Sequence, residues 1–425
     1  MDPVPDRTVT APPRFSLPKP AIRVVLLEGV HASAVEELRR AGYENVDSLP
    51  EALDEAELVE RVADAHVVGI RSRTRITARV IESARRLFTI GCFCIGTNQV
   101  DLAAARRAGI PVFNAPYSNT RSVAELVIGE IIMLLRGAYE KSVAAHAGVW
   151  KKTARGAYEL RGKVLGIVGY GHIGSQLSVL AEAMGMRVLY YDIEPKMALG
   201  NAAACGSLGE LLAAADVVTL HVPETPLTRG MIGAEQLRAM KRGAHLLNAA
   251  RGSVVDIDAL AAALRAGHLA GAAIDVFPRE PATNDDPFDS PLRGLDTVIL
   301  TPHIGGSTQE AQVNIGAEVA DKLVKYSDVG TTTGAVNFPE VSLPAKPGGI
   351  RFMHIHANVP GVLRRVTEVF SGRDLNIAAQ YLQTDGEIGY VVVDAEARPG
   401  EELDRKAILH DLRAVEGTVR TRWLY

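Results

Sequence analysis

The chain has 425 residues, 47% of them hydrophobic and 23% charged; at about 100 to 200 residues per domain, that length exceeds one ordinary core and predicts three domains. A net charge of −4 with Lys and Arg scattered gives no basic footprint for nucleic acid, and no apolar run reaches bilayer length, so no membrane insertion is expected. That absence points to a small-molecule partner, and three cysteines, Cys92, Cys94 and Cys205, cannot build a disulfide framework, which points to a reducing, cytoplasmic setting.

Residues 1–20 carry Pro3, Pro5, Pro12, Pro13, Pro18 and Pro20 among charges and lack the apolar segment of a signal peptide, so they read as a disordered Pro-rich tail. From Ile22, β-rich runs alternate with helical patterns, the rhythm of a parallel sheet wrapped by helices. The expected strands are IRVVLL at 22–27, HVVGI at 66–70, LFTI at 87–90 and IPVFN at 110–114. Arg71, Arg73 and Arg75 follow the second of these in the loop RSRTR. Cys92 and Cys94 read as buried thiols, because no second Cys or His pair offers a metal site. Three-and-four apolar spacing predicts one long helix from about Ser122 to Ala147, a connector between domains.

A second α/β series starts at Lys163 with six strands, KVLGIV, RVLYY, DVVTL, AHLLN, GAAID and DTVIL, the number that two mononucleotide-binding halves require. A helical stretch then runs through about Val329 and is expected to return to the first domain, making it discontinuous. SLPAKPGG at 342–349 reads as a linker. Beyond it, the order βαββαβ predicts a small, separate ferredoxin-like domain.

The chemistry concentrates in the second series. GIVGYGHIGSQL sets Gly169, Gly171 and Gly174 in the spacing GxGxxG between a strand and a helix, with Asp192 ending the next strand. Gly169 would allow the tight turn, Gly171 the approach of a pyrophosphate, and Gly174 the packing of helix on strand. The N–H groups of His172 and Ile173 would hold phosphates at the helix N-terminus. Asp192 would accept ribose hydroxyls and repel a 2′-phosphate, favouring NAD over NADP. Three polar residues recur at strand ends: Arg251, Glu280 and His303. Each alone fits a surface ion pair or a loop cap. Together they fit proton transfer by His303 under the influence of Glu280, with Arg251 holding a substrate carboxylate.

GYGHIG, NAARGSVVD, AIDVFPREP and TPHIGGSTQEA resemble the D-isomer-specific 2-hydroxyacid dehydrogenases, whose Arg, Glu and His match Arg251, Glu280 and His303. The similarity runs from about residue 22 to the end. GIRSRTRIT, GCFCIGTNQVDL, SNTRSVAELVIGE and YLQT resemble the bacterial branch that acts on D-3-phosphoglycerate and carries one C-terminal ACT domain. The resemblance implies a Rossmann-type doubly wound parallel sheet (119–304) inserted in a flavodoxin-like α/β substrate-binding domain (21–118 with 305–338), then a linker (339–349) and an ACT regulatory domain (350–425). It further implies NAD-dependent oxidation of 3-phosphoglycerate to 3-phosphohydroxypyruvate, opening phosphorylated L-serine synthesis, in a homotetramer. Arg71 and Arg73 would hold the phosphate, with Arg75 an extra charge, and Asp275 would orient the nicotinamide carboxamide. His356, Asn358 and Asn376 would bind L-serine as effector, with Gly348 and Gly349 as hinge. No metal is expected. Whether 2-oxoglutarate is also reduced stays open. A glyoxylate or hydroxypyruvate reductase would share the three polar residues without needing the arginine loop. An NAD-sensing corepressor, the alternative of another class, would need a peptide-binding groove and no ACT module.

Overall fold

Three sheets organise the computed structural model, which describes residues 17–281, 283, 285–344, 350–397 and 404–424. The first holds β1 (Val24–Leu26), β2 (Val46–Ser48), β3 (Val67–Ile70), β4 (Thr89–Cys92) and β5 (Val112–Asn114) in the order β2-β1-β3-β4-β5, with every pairing parallel. That is the flavodoxin-like order. Its central strands are buried along their whole length, because helices cover both faces and a doubly covered parallel strand must be apolar throughout. β2 escaped sequence reading for the opposite reason: it lies at the edge, is only half buried, and its VDS carries no apolar run.

The second sheet contains β6 (Val164–Val168), β7 (Arg187–Tyr191), β8 (Ala203–Ala204), β9 (Val217–Leu220), β10 (His245–Asn248), β11 (Gly271–Ile274) and β12 (Val298–Leu300). Its order is β12-β11-β10-β9-β6-β7-β8, all parallel. The six expected strands are present, and the two-residue β8 is added at an edge. Two apolar clusters cover its faces, one around Leu220, Leu246 and Leu260, the other around Ile131, Leu177 and Leu247. The single helix expected from Ser122 to Ala147 is two, Thr120–Leu135 and Ala138–His146. Gly137 at φ +55° breaks it, a conformation that carries little steric cost without a Cβ.

The third sheet is antiparallel: β13 (Ile350–Ala357), β14 (Asn376–Thr384), β15 (Ile388–Glu396) and β16 (Thr418–Trp423) in the order β14-β15-β13-β16. With helices Val362–Ser371 and Arg405–Ala414 it makes the βαββαβ unit, closed over Phe352, Val366, Phe370, Val393 and Leu412.

By contacts the chain forms two units, residues 1–116 with 312–425, and residues 117–311. The third sheet thus shares a unit with the first, and buried cations join them. The Arg420 guanidinium donates to the carbonyls of Leu87 and Ala108, and the fully buried Arg422 lies 3.8 Å over the Phe88 ring. Burial pulls Arg420 down to about 10. The presumed tail also ends sooner than expected: Lys19–Ala21 form a 3₁₀ turn, with Lys19 donating to Asp328 and to the carbonyl of Ala41. Residues 1–16 of that tail and the linker's 345–349, including Gly348 and Gly349, lie outside the described residues. Among the described residues no helix is long and apolar enough to cross a membrane.

Arg351 and Asp394 pair across β13 and β15 through two bonds of 2.7 and 2.8 Å, both nearly shut off from water. Asp394→Ala leaves the guanidinium buried without a counter-charge, and should cost about 3 to 5 kcal/mol in urea unfolding of this unit. Replacing both partners by apolar residues, Arg351→Met with Asp394→Leu, should cost far less.

Candidate active site

The dinucleotide fingerprint sits where β6 turns into the helix His172–Ala183. Gly169 takes φ +91°, and a Cβ there would lie 2.5 Å from the His221 carbonyl oxygen. A Cβ on Gly174 would lie 2.3 Å from the Gly169 carbonyl oxygen. At Gly171 a Cβ would meet nothing within 4 Å, leaving the open approach a diphosphate needs. The N–H groups of His172 and Ile173 belong to the first turn, whose donors an α-helix leaves without carbonyl partners. The Asp192 carboxylate accepts the N–H of Tyr170 at 2.8 Å and of Glu194 at 3.0 Å. A carboxylate has about four acceptor positions, so two remain for ribose hydroxyls. These residues fit an NAD-type dinucleotide.

At the neighbouring strand ends the geometry is held by one buried carboxylate. Asp275, 2% exposed, follows β11. One of its oxygens accepts from Thr301 Oγ1 at 2.6 Å and from the Ile304 N–H at 2.8 Å, the other from the Gly305 N–H at 2.8 Å. The Asp275 carbonyl takes the N–H of His303 at 2.8 Å. The loop TPHIGG is therefore wrapped on Asp275, and His303 is fixed at φ +54°, in the left-handed region, where a non-glycine residue needs such support. Asp275 keeps about one acceptor position for a carboxamide.

His303 Nδ1 lies 2.8 Å from Glu280 Oε2, while the other Glu280 oxygen accepts the N–H of Phe277 at 3.1 Å. A carboxylate only accepts, so Nδ1 carries the proton and Nε2 is the nitrogen left to exchange one. The bond to Glu280 raises the His303 pKa above its ordinary 6.5, against the opposing pull of burial. Burial pushes the Glu280 carboxyl up, but the bonds from His303 and Phe277 win and hold it below its ordinary value. Arg251 is near enough to lower both. Its guanidinium donates to the Ala250 carbonyl at 2.7 Å, and its own carbonyl is held at 3.0 Å by the amide of Asn248. Arg251, Glu280 and His303 thus come together, able to bind an anion and to shuttle one proton.

Four neighbours of these residues were missed in the sequence. Asn248 caps the turn that bears Arg251; an Asn at a strand end is a readable signal for such a turn. Thr301 braces Asp275, with no signal in the string. Tyr117 lies against His172, ring centres 3.8 Å apart. Glu130 interrupts the apolar face of Thr120–Leu135; burial, with Asp275 nearby, pushes its carboxyl up to about 8.

The remaining expected residues lie in the other unit. Arg71, Arg73 and Arg75 occupy the loop after β3, with Arg73 and Arg75 exposed and Thr74 buried between them. Cys92 is buried, and the Cys94 thiol donates to the Gly96 carbonyl at 3.2 Å. Among the described residues no His, Cys, Asp and Glu cluster could hold a metal. The three effector candidates do not converge within one chain. His356 is buried on β13 opposite Gly389, whose missing Cβ makes room for the imidazole, and Asn358 donates to the Asp385 carbonyl at 2.6 Å. Asn376 pairs with Glu396 at the far end of the sheet, about 23 Å away at 3.3 Å per residue.

Comparison with known proteins agrees with this geometry. Residues 128–305 match the model for the D-isomer specific 2-hydroxyacid dehydrogenase NAD binding domain, and residues 352–420 match an AHAS small subunit-like ACT domain. The chain is 60% identical over 412 residues to the D-3-phosphoglycerate dehydrogenase of Escherichia coli (strain K12), covering 97% of this chain and 100% of that protein. It is 58% identical to the enzyme of the same name from Haemophilus influenzae, covering 97% and 99%. Among solved structures it is similar to D-lactate dehydrogenase from Aquifex aeolicus complexed with NAD and lactic acid, with TM-score 0.65, 26% identity, and 75% of this chain and 100% of that chain covered.

His303→Ala should lower turnover by about 100- to 10,000-fold while NADH binding, followed by its fluorescence, stays intact. Glu280→Gln should lower the His303 pKa. Reduction needs the imidazolium and fails as pH rises through that pKa; oxidation needs neutral imidazole and fails as pH falls through it. Both limbs should therefore move to lower pH, and unmoved limbs would make Glu280 purely structural.

Proposed function

The chain belongs to the D-isomer-specific 2-hydroxyacid dehydrogenases, and we propose that it oxidises D-3-phosphoglycerate to 3-phosphohydroxypyruvate with NAD, the first step of phosphorylated L-serine synthesis. The observation that carries the reaction is the His303–Glu280 pair beside Arg251. Held by the Gly169–Gly174 turn and Asp192, NAD would supply the hydride acceptor for the hydroxyl-bearing carbon. His303 Nε2 takes the hydroxyl proton as the ketone forms, and the imidazolium rests against the Glu280 carboxylate. Arg251 binds the substrate carboxylate and polarises the reacting oxygen. Asp192 selects NAD, and Asp275, already holding the loop, directs the carboxamide.

The choice of substrate rests on the arginine loop and on the activity for which the two relatives are named. A phosphate dianion needs cations beyond Arg251, and Arg71 and Arg73 supply them. Phosphohydroxypyruvate should be reduced far faster than hydroxypyruvate, glyoxylate or 2-oxoglutarate. Arg71→Ala should raise KM for the phosphorylated substrate by about tenfold or more, the loss of a charged hydrogen bond, with little effect on 2-oxoglutarate. Equal losses on both would assign the loop to folding, and a preference for glyoxylate would overturn the substrate.

The terminal domain is assigned as an L-serine sensor in a homotetramer. Because His356 and Asn358 lie at one end of the third sheet and Asn376 at the other, an effector touching all three joins two chains across their β14 edges. L-serine should then inhibit the reductase with D-serine much weaker, and Asn376→Ala should blunt inhibition as much as Asn358→Ala. Millimolar L-serine without effect, or a monomer in sedimentation, would overturn this assignment.

A further inference from the structure

The loop Arg71–Thr74 begins directly after β3, and Glu28 lies two residues beyond β1, at the same edge of the first sheet. β1 and β3 are paired neighbours, with Leu26 opposite Gly69. In the order β2-β1-β3-β4-β5 the chain leaves β1 on one side for β2 and returns on the other for β3. The carboxyl ends of these two strands are therefore the switch point of the sheet, where open α/β sheets place ligands.

Glu28 is 3% exposed, a burial unusual for its type. One of its carboxylate oxygens accepts the N–H of Arg71 at 3.1 Å and of Thr74 at 2.8 Å, the other the N–H of Arg73 at 3.0 Å. Its own carbonyl takes the Arg71 guanidinium at 3.4 Å, and Arg73 Nε stands 3.9 Å from its carboxylate. That carbonyl is turned to Arg71 because Glu28 and Gly29 both adopt left-handed backbone, φ +65° and +60°. The turn is tied down by Glu28 N–H on Glu51 and Gly29 N–H on Leu49, each 2.9 Å. Strain at a non-glycine residue persists only where its surroundings impose it, and such residues gather at ligand sites. From the other side, the buried Gln99 amide donates to the Arg71 carbonyl at 2.7 Å.

We infer that Glu28 is a positioning residue for the substrate phosphate: its carboxylate gathers the three N–H groups of the arginine loop so that Arg71 and Arg73 meet the phosphate already in place, with Gln99 fixing the opposite face of Arg71. This rests on the reading that Arg71 and Arg73 bind that phosphate. Arginines on an unanchored loop would lose side-chain and backbone freedom on binding, and the anchor spares the ligand that loss.

Glu28→Gln keeps the shape but sets an NH2 group against one of the three N–H donors. In the full-length enzyme it should raise KM for phosphohydroxypyruvate about tenfold, as expected for one broken charged hydrogen bond, while kcat changes less than about twofold. The inhibition constant of inorganic phosphate should rise by the same factor. In the Arg71→Ala, Arg73→Ala background the added effect should vanish, because Glu28 acts only through those side chains. Gln99→Met, which frees the Arg71 carbonyl, should act in the same direction and serves if Glu28→Gln does not fold. If both variants leave phosphate affinity unchanged while Arg71→Ala weakens it, the inference falls and the substrate reading stands. If Arg71→Ala itself leaves it unchanged, the substrate reading falls and takes the inference with it. A persisting Glu28→Gln effect in the double-alanine background also overturns the inference, since the residue would then act by some other route.

Discussion

One buried carboxylate carries the catalytic end of this protein. Asp275 sits beyond the last residue of β11 with no water to solvate it, so its charge must be met by donors, and these are the hydroxyl and amide groups of residues 301–305. The demand works in both directions. The charge is tolerated because the loop wraps it, and the loop holds a left-handed histidine because the charge wraps the loop. Burial, and then the neighbouring Asp275, push the Glu130 carboxyl up. His303 is thereby delivered to Glu280 with its Nδ1 engaged and its Nε2 outward.

The same device recurs in the other unit. Glu28 meets the backbone of the arginine loop much as Asp275 meets the histidine loop: a buried acid just past a parallel strand takes three or more donors from a neighbouring strand's loop. In both, the acid contributes shape. Backbone N–H groups are the natural partners because they are rigid and already present where a strand ends. A functional loop built this way loses little freedom when its ligand arrives.

The terminal domain is joined to the rest of its unit by Arg420, Arg422 and Tyr390, whose polar ends reach carbonyls or lie on an aromatic face. Charged groups of this kind are costly to bury and tolerate few arrangements. Such an interface fixes orientation more than it adds stability.

Much of this was legible in the string of residues. The strand rhythm and the GxGxxG pattern predicted two parallel sheets, because both are local: a doubly covered strand must be apolar along its length, and a tight turn beside a diphosphate must lack Cβ atoms at set positions. Arg251, Glu280 and His303 could be singled out because ligands of open parallel sheets bind at strand ends. What the string could not reveal depends on residues far apart in sequence. β2 and β8 exist only as edges added to sheets already built. The long helix breaks at Gly137, one glycine in a run that otherwise favours continuation. Asp275 was read for a cofactor, yet its first task is the loop about 30 residues on; Glu28 drew no notice because its partners begin 43 residues later. The three effector candidates, expected from the resemblance to meet between two ACT domains, are parted within one chain by the register of an antiparallel sheet. Local periodicity and steric need are written in neighbouring residues, whereas the pairing of a buried charge with its donors is decided only when distant strand ends are brought side by side.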